Sequence, residues 1–184
     1  MSQKYTSFID EVWSSYPALA KREFTDESEL KSWSLGQYIA AGYINFRTDR
    51  KTLYKLSMML ENFAVKNNAP LLATFENESL YKYVEDRYME ILKKIPRTWI
   101  VGNFNNPFLA QNLPNTVEVI SCVGTNISDM WIVITKRSTG VFGLVAEDVG
   151  DNNFRGFFSI SSMVIRKTIE NICTTLKVDI ELSK

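Results

Sequence analysis

Between Leu71 and Thr135 the sequence reads strand, helix, strand, strand, strand, and no other stretch narrows the fold as much. The run LLATF (71–75) is short, apolar and without alternation, the pattern of a central strand covered on both faces. A helix is predicted over 78–95, with Leu80, Val84, Tyr88 or Arg87, Ile91, Leu92 and Ile95 on its inner face. Glu78–Lys82, Lys82–Asp86 and Glu90–Lys94 stand at i,i+4 on its outer face, and Pro96 ends it. The segments TWIVGNF (98–104), VEVISCV (117–123) and MWIVIT (130–135) then supply three strands in close succession.

The strands continue past this block. Val141–Glu147 forms a hairpin with the preceding strand through Ser138-Thr139-Gly140, and Phe154–Ile160 can add one more. Between them, DVGDNN (148–153) offers oxygen ligands but lacks the twelfth-position acid and preceding helix of an EF-hand, so it reads as a turn. Ser161 or Ser162 starts a closing helix with Ile165, Ile169, Ile172, Cys173 and Leu176 inside.

Upstream, Thr48 and Asp49 cap a helix running to Asn67, with Leu53, Leu56, Leu60 and Phe63 as its buried stripe. A first helix over 4–16 carries Tyr5, Phe8, Ile9, Val12, Trp13 and Tyr16 on one face. That aromatic stripe either packs on the domain's own core or docks, through Phe8, Val12 and Trp13, on a partner or a second copy of the chain. Residues 18–46 are ambiguous: a short helix fits 27–34, while AAGYINF suits a helix end or an edge strand. Helices first, then consecutive strands closed by a helix, indicate an α+β fold. The expected architecture is a single mostly antiparallel or mixed sheet of five to six strands flanked by helices. A helical N-terminal extension (1–46) precedes the main domain (47–184).

Composition removes several chemistries. There is no histidine, so His-based triads and zinc sites are ruled out. Lys+Arg and Asp+Glu are both 21, without the basic excess that phosphate contacts demand, so nucleic acid is not an expected partner. No apolar run is long enough to span a bilayer, and the first residues lack a signal-peptide core, which points to the cytoplasm. Cys122 and Cys173 sit in apolar settings and read as small buried hydrophobes. Neither GxGxxG nor GxxxxGK[ST] occurs, and no cofactor is indicated. The segment 105–116, with two prolines and four asparagines, is the longest irregular stretch between strands and a natural place for binding groups. Glu76, Asp129, Glu147 and Asp148 could together serve a carboxylate-based enzyme.

From about Asp49 to Leu176 the sequence resembles the DICT sensory domain, found beside diguanylate cyclases and two-component modules and frequent in cyanobacteria. The likeness rests on RKTLYKLSMMLENFAV leading into LLATFEN, on Arg87-Tyr88 ahead of RTWIVGNF, on DMWIVITK followed by VFGLVAED, and on FRGFFS before the closing helix. Asp129 lies two positions ahead of Trp131 instead of beside it, which leaves any paired role for it open. The resemblance implies a non-enzymatic, stand-alone sensory or adaptor domain of a bacterial signalling pathway, acting by binding a partner protein or small ligand. Ligand or interaction residues would be Phe75, Tyr88, Trp131, Arg155 and Phe158, although the large aromatics equally suit core packing. An arginine among aromatics is costly to bury unpaired, so Arg155 should meet Asp129, Glu147, Asp148 or a ligand anion. A chromophore is a further option, though without histidine a covalent bilin is disfavoured.

Overall fold

The computed structural model describes residues 6–104 and 113–183. Tyr5 and most of the expected binding loop (105–112) therefore lie outside the described residues.

The sheet is larger than expected, with eight strands instead of five to six. They are β1 (Phe24–Thr25), β2 (Tyr43–Thr48), β3 (Leu71–Phe75), β4 (Thr98–Gly102), β5 (Val117–Ser121), β6 (Met130–Arg137), β7 (Gly140–Gly150) and β8 (Asn153–Ser159). Their order is β1-β2-β8-β7-β6-β3-β4-β5. Strands β2, β8, β7, β6 and β3 pair antiparallel in turn, while β1–β2, β3–β4 and β4–β5 are parallel, so the sheet is mixed.

The two additional strands come from the ambiguous N-terminal region. Helix α4 (Leu35–Ala41) ends at Gly42, whose φ of 78° is a conformation that glycine adopts freely. The chain then turns straight into β2, so AAGYINF is both a helix end and a strand. That strand is internal, lying between β1 and β8. The helix expected over 27–34 is one turn, α3 (Glu27–Leu30). The first helix is shorter than expected, α1 (Phe8–Ser14), because Pro17 opens a separate turn, α2 (Pro17–Ala20), at its favoured first position.

Helices cover both faces. On one face α3, α4, α5 (Arg50–Lys66) and α6 (Glu78–Leu92) bury Leu30, Tyr38, Leu53, Leu56, Leu60, Tyr81 and Tyr88 against the sheet. On the other, α1 and α7 (Ser162–Leu176) bury Phe8, Ile9, Val12, Trp13, Ile165, Ile169 and Ile172. Among the described residues no helix is long and apolar enough to cross a membrane.

Two turns set the geometry of the site end. Asp49 accepts from the Thr52 amide at 2.8 Å and starts α5 directly after β2. The β7–β8 hairpin turns through Asp151 and Asn152, with φ of 55° and 56°, the two left-handed residues that a type I′ turn requires. The Asn152 carboxamide oxygen accepts from the Arg50 amide at 3.1 Å, joining this hairpin to the start of α5.

Candidate ligand cavity between α5 and α6

A cavity of about 550 Å³ opens at the C-terminal end of β3, between the two helices that cross the same face of the sheet. It forms where β3 and β6 part. Their backbone register ends at Ala73↔Val133. Thr74 extends the pairing by side chain, donating to the Met130 carbonyl (2.9 Å) and accepting from the Ile132 amide (2.8 Å). Beyond it Phe75, still paired with Gly102 of β4, and Glu76 line the opening. Helix α5 contributes Arg50, Tyr54, Ser57 and Glu61, helix α6 contributes Val84, Arg87 and Tyr88, and the floor is Ala73, Trp131 and Val133. A concave, largely aromatic and aliphatic lining with a few convergent polar groups is the usual form of a small-molecule site.

Three of the five residues singled out from sequence meet here: Phe75, Tyr88 and Trp131. The Phe75 and Tyr88 rings pack edge to face with centroids 5.3 Å apart. Trp131 donates its indole N–H to Ser57 Oγ at 2.7 Å, and Ser57 passes the chain on to the Leu53 carbonyl at 2.9 Å. The indole plane is thereby fixed.

Arg155 and Phe158 are elsewhere. In the sheet register Trp131 stands beside Ala146 and Gly156, so Arg155, one residue away, points to the opposite face. There it pairs with Glu147, one of its expected partners, and with Asp10 of α1, both at 3.1 Å. It also lies 5.3 Å from the Trp13 ring centroid. Phe158 is fully buried between Tyr38 and Phe142. Phe8, Val12 and Trp13 are buried under α1 against the sheet and α7, and Trp13 donates to the Tyr43 hydroxyl at 2.9 Å.

The sequence reading passed over the residue that most distinguishes the site. Glu61 is 2% exposed in the middle of α5. Its Oε1 accepts from Arg87 Nη2 at 2.6 Å and its Oε2 from the Tyr88 hydroxyl. Two donors on two oxygens is an arrangement a carboxylate satisfies. Burial pushes the Glu61 carboxyl up, opposed by Arg87 and Tyr88, and burial together with Glu61 holds the Tyr88 phenol well above its usual range. Arg87 Nε and Nη1 have no hydrogen-bond partner among the described residues and are sealed from solvent.

At the mouth lies a second polar group. Glu76 faces Asp148, with Asp129 near, while Arg50 approaches it only at 3.8 Å. Three of the four carboxylates considered from sequence thus converge; Glu147 turns away to Arg155. Among the described residues no cluster of three such ligands could hold a metal ion. Burial, then Asp148, push Glu76 up to about 7 from 4.5. The folded state therefore holds more protons than the unfolded chain between these values, and stability falls as pH rises through that window. The protein is expected to unfold at a higher temperature at pH 5 than at pH 8. Glu76→Gln should remove that component and add about 1 kcal/mol at pH 8, the partly wetted carboxyl limiting the gain. Calorimetric scans of both proteins at the two pH values check this.

Both thiols sit in settings that suppress reactivity: burial pushes Cys122 up to about 11 and raises Cys173. Comparison of the chain with protein-family models, with curated proteins and with solved structures finds no match in any of the three.

Proposed function

We propose that this chain is a non-enzymatic sensory or adaptor domain that binds a small organic ligand between α5 and α6 and passes its occupancy to a partner protein. The observation that carries the reading is the cavity itself, an aromatic-walled space holding an almost fully buried carboxylate with its own arginine and tyrosine. The DICT resemblance supports the same reading, since three of the residues it brings forward line that space. Ligand occupancy would be felt at the starts of α5 and α6 and at the β7–β8 hairpin, which all meet at the mouth.

A thermal-shift screen of small organic metabolites tests this. A ligand at about a hundred times its dissociation constant should stabilise by about 2.7 kcal/mol, raising the midpoint by roughly 5–10 °C for a chain of this size. Val84, 8% exposed, lines the cavity from α6, and Val84→Trp should push an indole into it and reduce the shift. No shift with any compound, or a shift undiminished by Val84→Trp, would count against the proposal. If the ligand is a chromophore, the purified native protein should absorb above the aromatic band.

The converging Glu76, Asp129 and Asp148 favour one second reading, a carboxylate-based enzyme working at the mouth. Turnover of a metabolite that is lost in Glu76→Gln while ligand binding persists would select it.

A further inference from the structure

The charges in the cavity differ in how they are already engaged, and on the reading that it is a ligand site this narrows the ligand. Arg50, Lys51 and Arg87 line it together with two carboxylates, Glu61 and Glu76, and Asp148 and Asp129 stand beside Glu76 at the mouth. Glu61 is already engaged on both oxygens by Arg87 and Tyr88. Glu76 is turned toward Asp148 and is too far from Arg50, at 3.8 Å, for a hydrogen bond. Arg50 is instead held by rings, its guanidinium 5.5 Å from the centroid of Trp131 and 5.1 Å from that of Phe154. Arg87 likewise lies over Tyr54 and Tyr88, at 5.9 and 5.4 Å. The ring faces that would receive a cationic ligand are therefore occupied by the protein's own cations. An incoming cation would find those faces taken, whereas an anion would meet a guanidinium held in place with donors to offer.

We propose that the cavity binds an aromatic organic anion, its ring system against Phe75, Tyr88 and Trp131 and its acidic oxygens on Arg50. Rings on ring edges supply the apolar contact. The acidic group adds charge-assisted hydrogen bonds at the wetter mouth, where Arg50 is 40% exposed. A carboxylate and a phosphate monoester share this chemistry, and both are tested.

Isothermal titration of the full chain with four naphthalene probes separates the possibilities: 2-naphthoate, 2-naphthyl phosphate, neutral 2-naphthalenemethanol and the 2-naphthylmethylammonium cation. At least one anion should bind about tenfold or more tighter than the neutral probe, with the cation weakest. Arg50→Gln, at a half-buried position, should bring the anion down to the neutral probe and leave the neutral probe unchanged. Lowering pH from 8 to 6 should tighten naphthoate by up to about tenfold, because an anion on Arg50 favours the protonated form of Glu76 among Arg50, Asp148 and Asp129. Glu76→Gln should flatten that dependence. If the neutral probe binds as tightly as the anions, or Arg50→Gln changes nothing, the aromatic anion is wrong while the ligand site stands. If none of the four binds although the metabolite screen yields a ligand, the outcome is the same. If Val84→Trp leaves binding undiminished, both fall together.

Discussion

Phe158→Ala is expected to cost about 4 kcal/mol of unfolding free energy, read as a lower denaturant midpoint at unchanged slope. Phe158 is 0% exposed in β8, between Ile44 of β2 and Leu144 of β7. Its ring meets Tyr38 of α4 at 5.2 Å and Phe142 of β7 at 6.3 Å, so truncation empties a volume walled by three strands and a helix. The surrounding strands are held by backbone pairing on both sides and cannot collapse into it, which places the cost in the upper part of the usual range. The midpoint of thermal unfolding should fall by about 10 °C. Ligand binding in the surviving folded fraction should be unaffected, because Phe158 does not line the cavity. A loss below about 1 kcal/mol would mean that the ring is not a core element. Weakened ligand binding at undiminished stability would return Phe158 to the site.

The parts of the fold that sequence revealed are those whose signals are local. Leu71–Phe75 is bounded by Pro70 on one side and by Asn77, which caps α6 by accepting from the Leu80 amide at 3.0 Å, on the other. Asp49 announces α5 in the same way. Strand β2 gives no such signal. YINF is buried at every position, so it shows no period-2 alternation, and its partner β8 is more than a hundred residues away. Strand β7 runs on to Gly150 beyond the apolar run because pairing with β8 carries the exposed Val149 and Gly150 along.

For the site the limit was register. Sequence brings forward both Trp131 and Arg155, but only the pairing of Trp131 with Ala146 and Gly156 shows that they occupy opposite faces. The small residues in that row have a second consequence. A Cβ on Gly156 would come within 2.1 Å of the Val145 carbonyl oxygen, so the backbones approach too closely for any side chain there. Glu61 was hidden because its helix is read by its leucines. The available signal was a charge on the same side as Ser57 and Ala64, matched by Arg87 at the inner edge of the facing helix.

That pair yields the second large effect. Arg87→Met should cost about 3 kcal/mol, because it strands Glu61 in the core with only Tyr88 as a donor. The value sits at the low end of the range because the Arg87 side chain is 26% exposed and water can enter where it leaves. Glu61→Leu should cost less, since the freed guanidinium can turn toward that water. The double variant Glu61→Leu/Arg87→Met should lie within about 1 kcal/mol of the parent, an apolar pair replacing an ionic pair at little net change. Denaturant titration of all four proteins gives the coupling directly, and additive losses would mean that the two side chains do not act as a pair. The deficit of Arg87→Met should also shrink as pH falls. Burial without the arginine pushes Glu61 further up, and its protonation removes the stranded charge, so stability is regained on the acid side. Glu61→Leu has no such group and should show no such recovery. If the double variant keeps the parent's stability, ligand titration of it asks what the pair is for. Full stability with lost affinity would assign Glu61 and Arg87 to recognition, and full affinity would leave the aromatic walls and Arg50 to carry it.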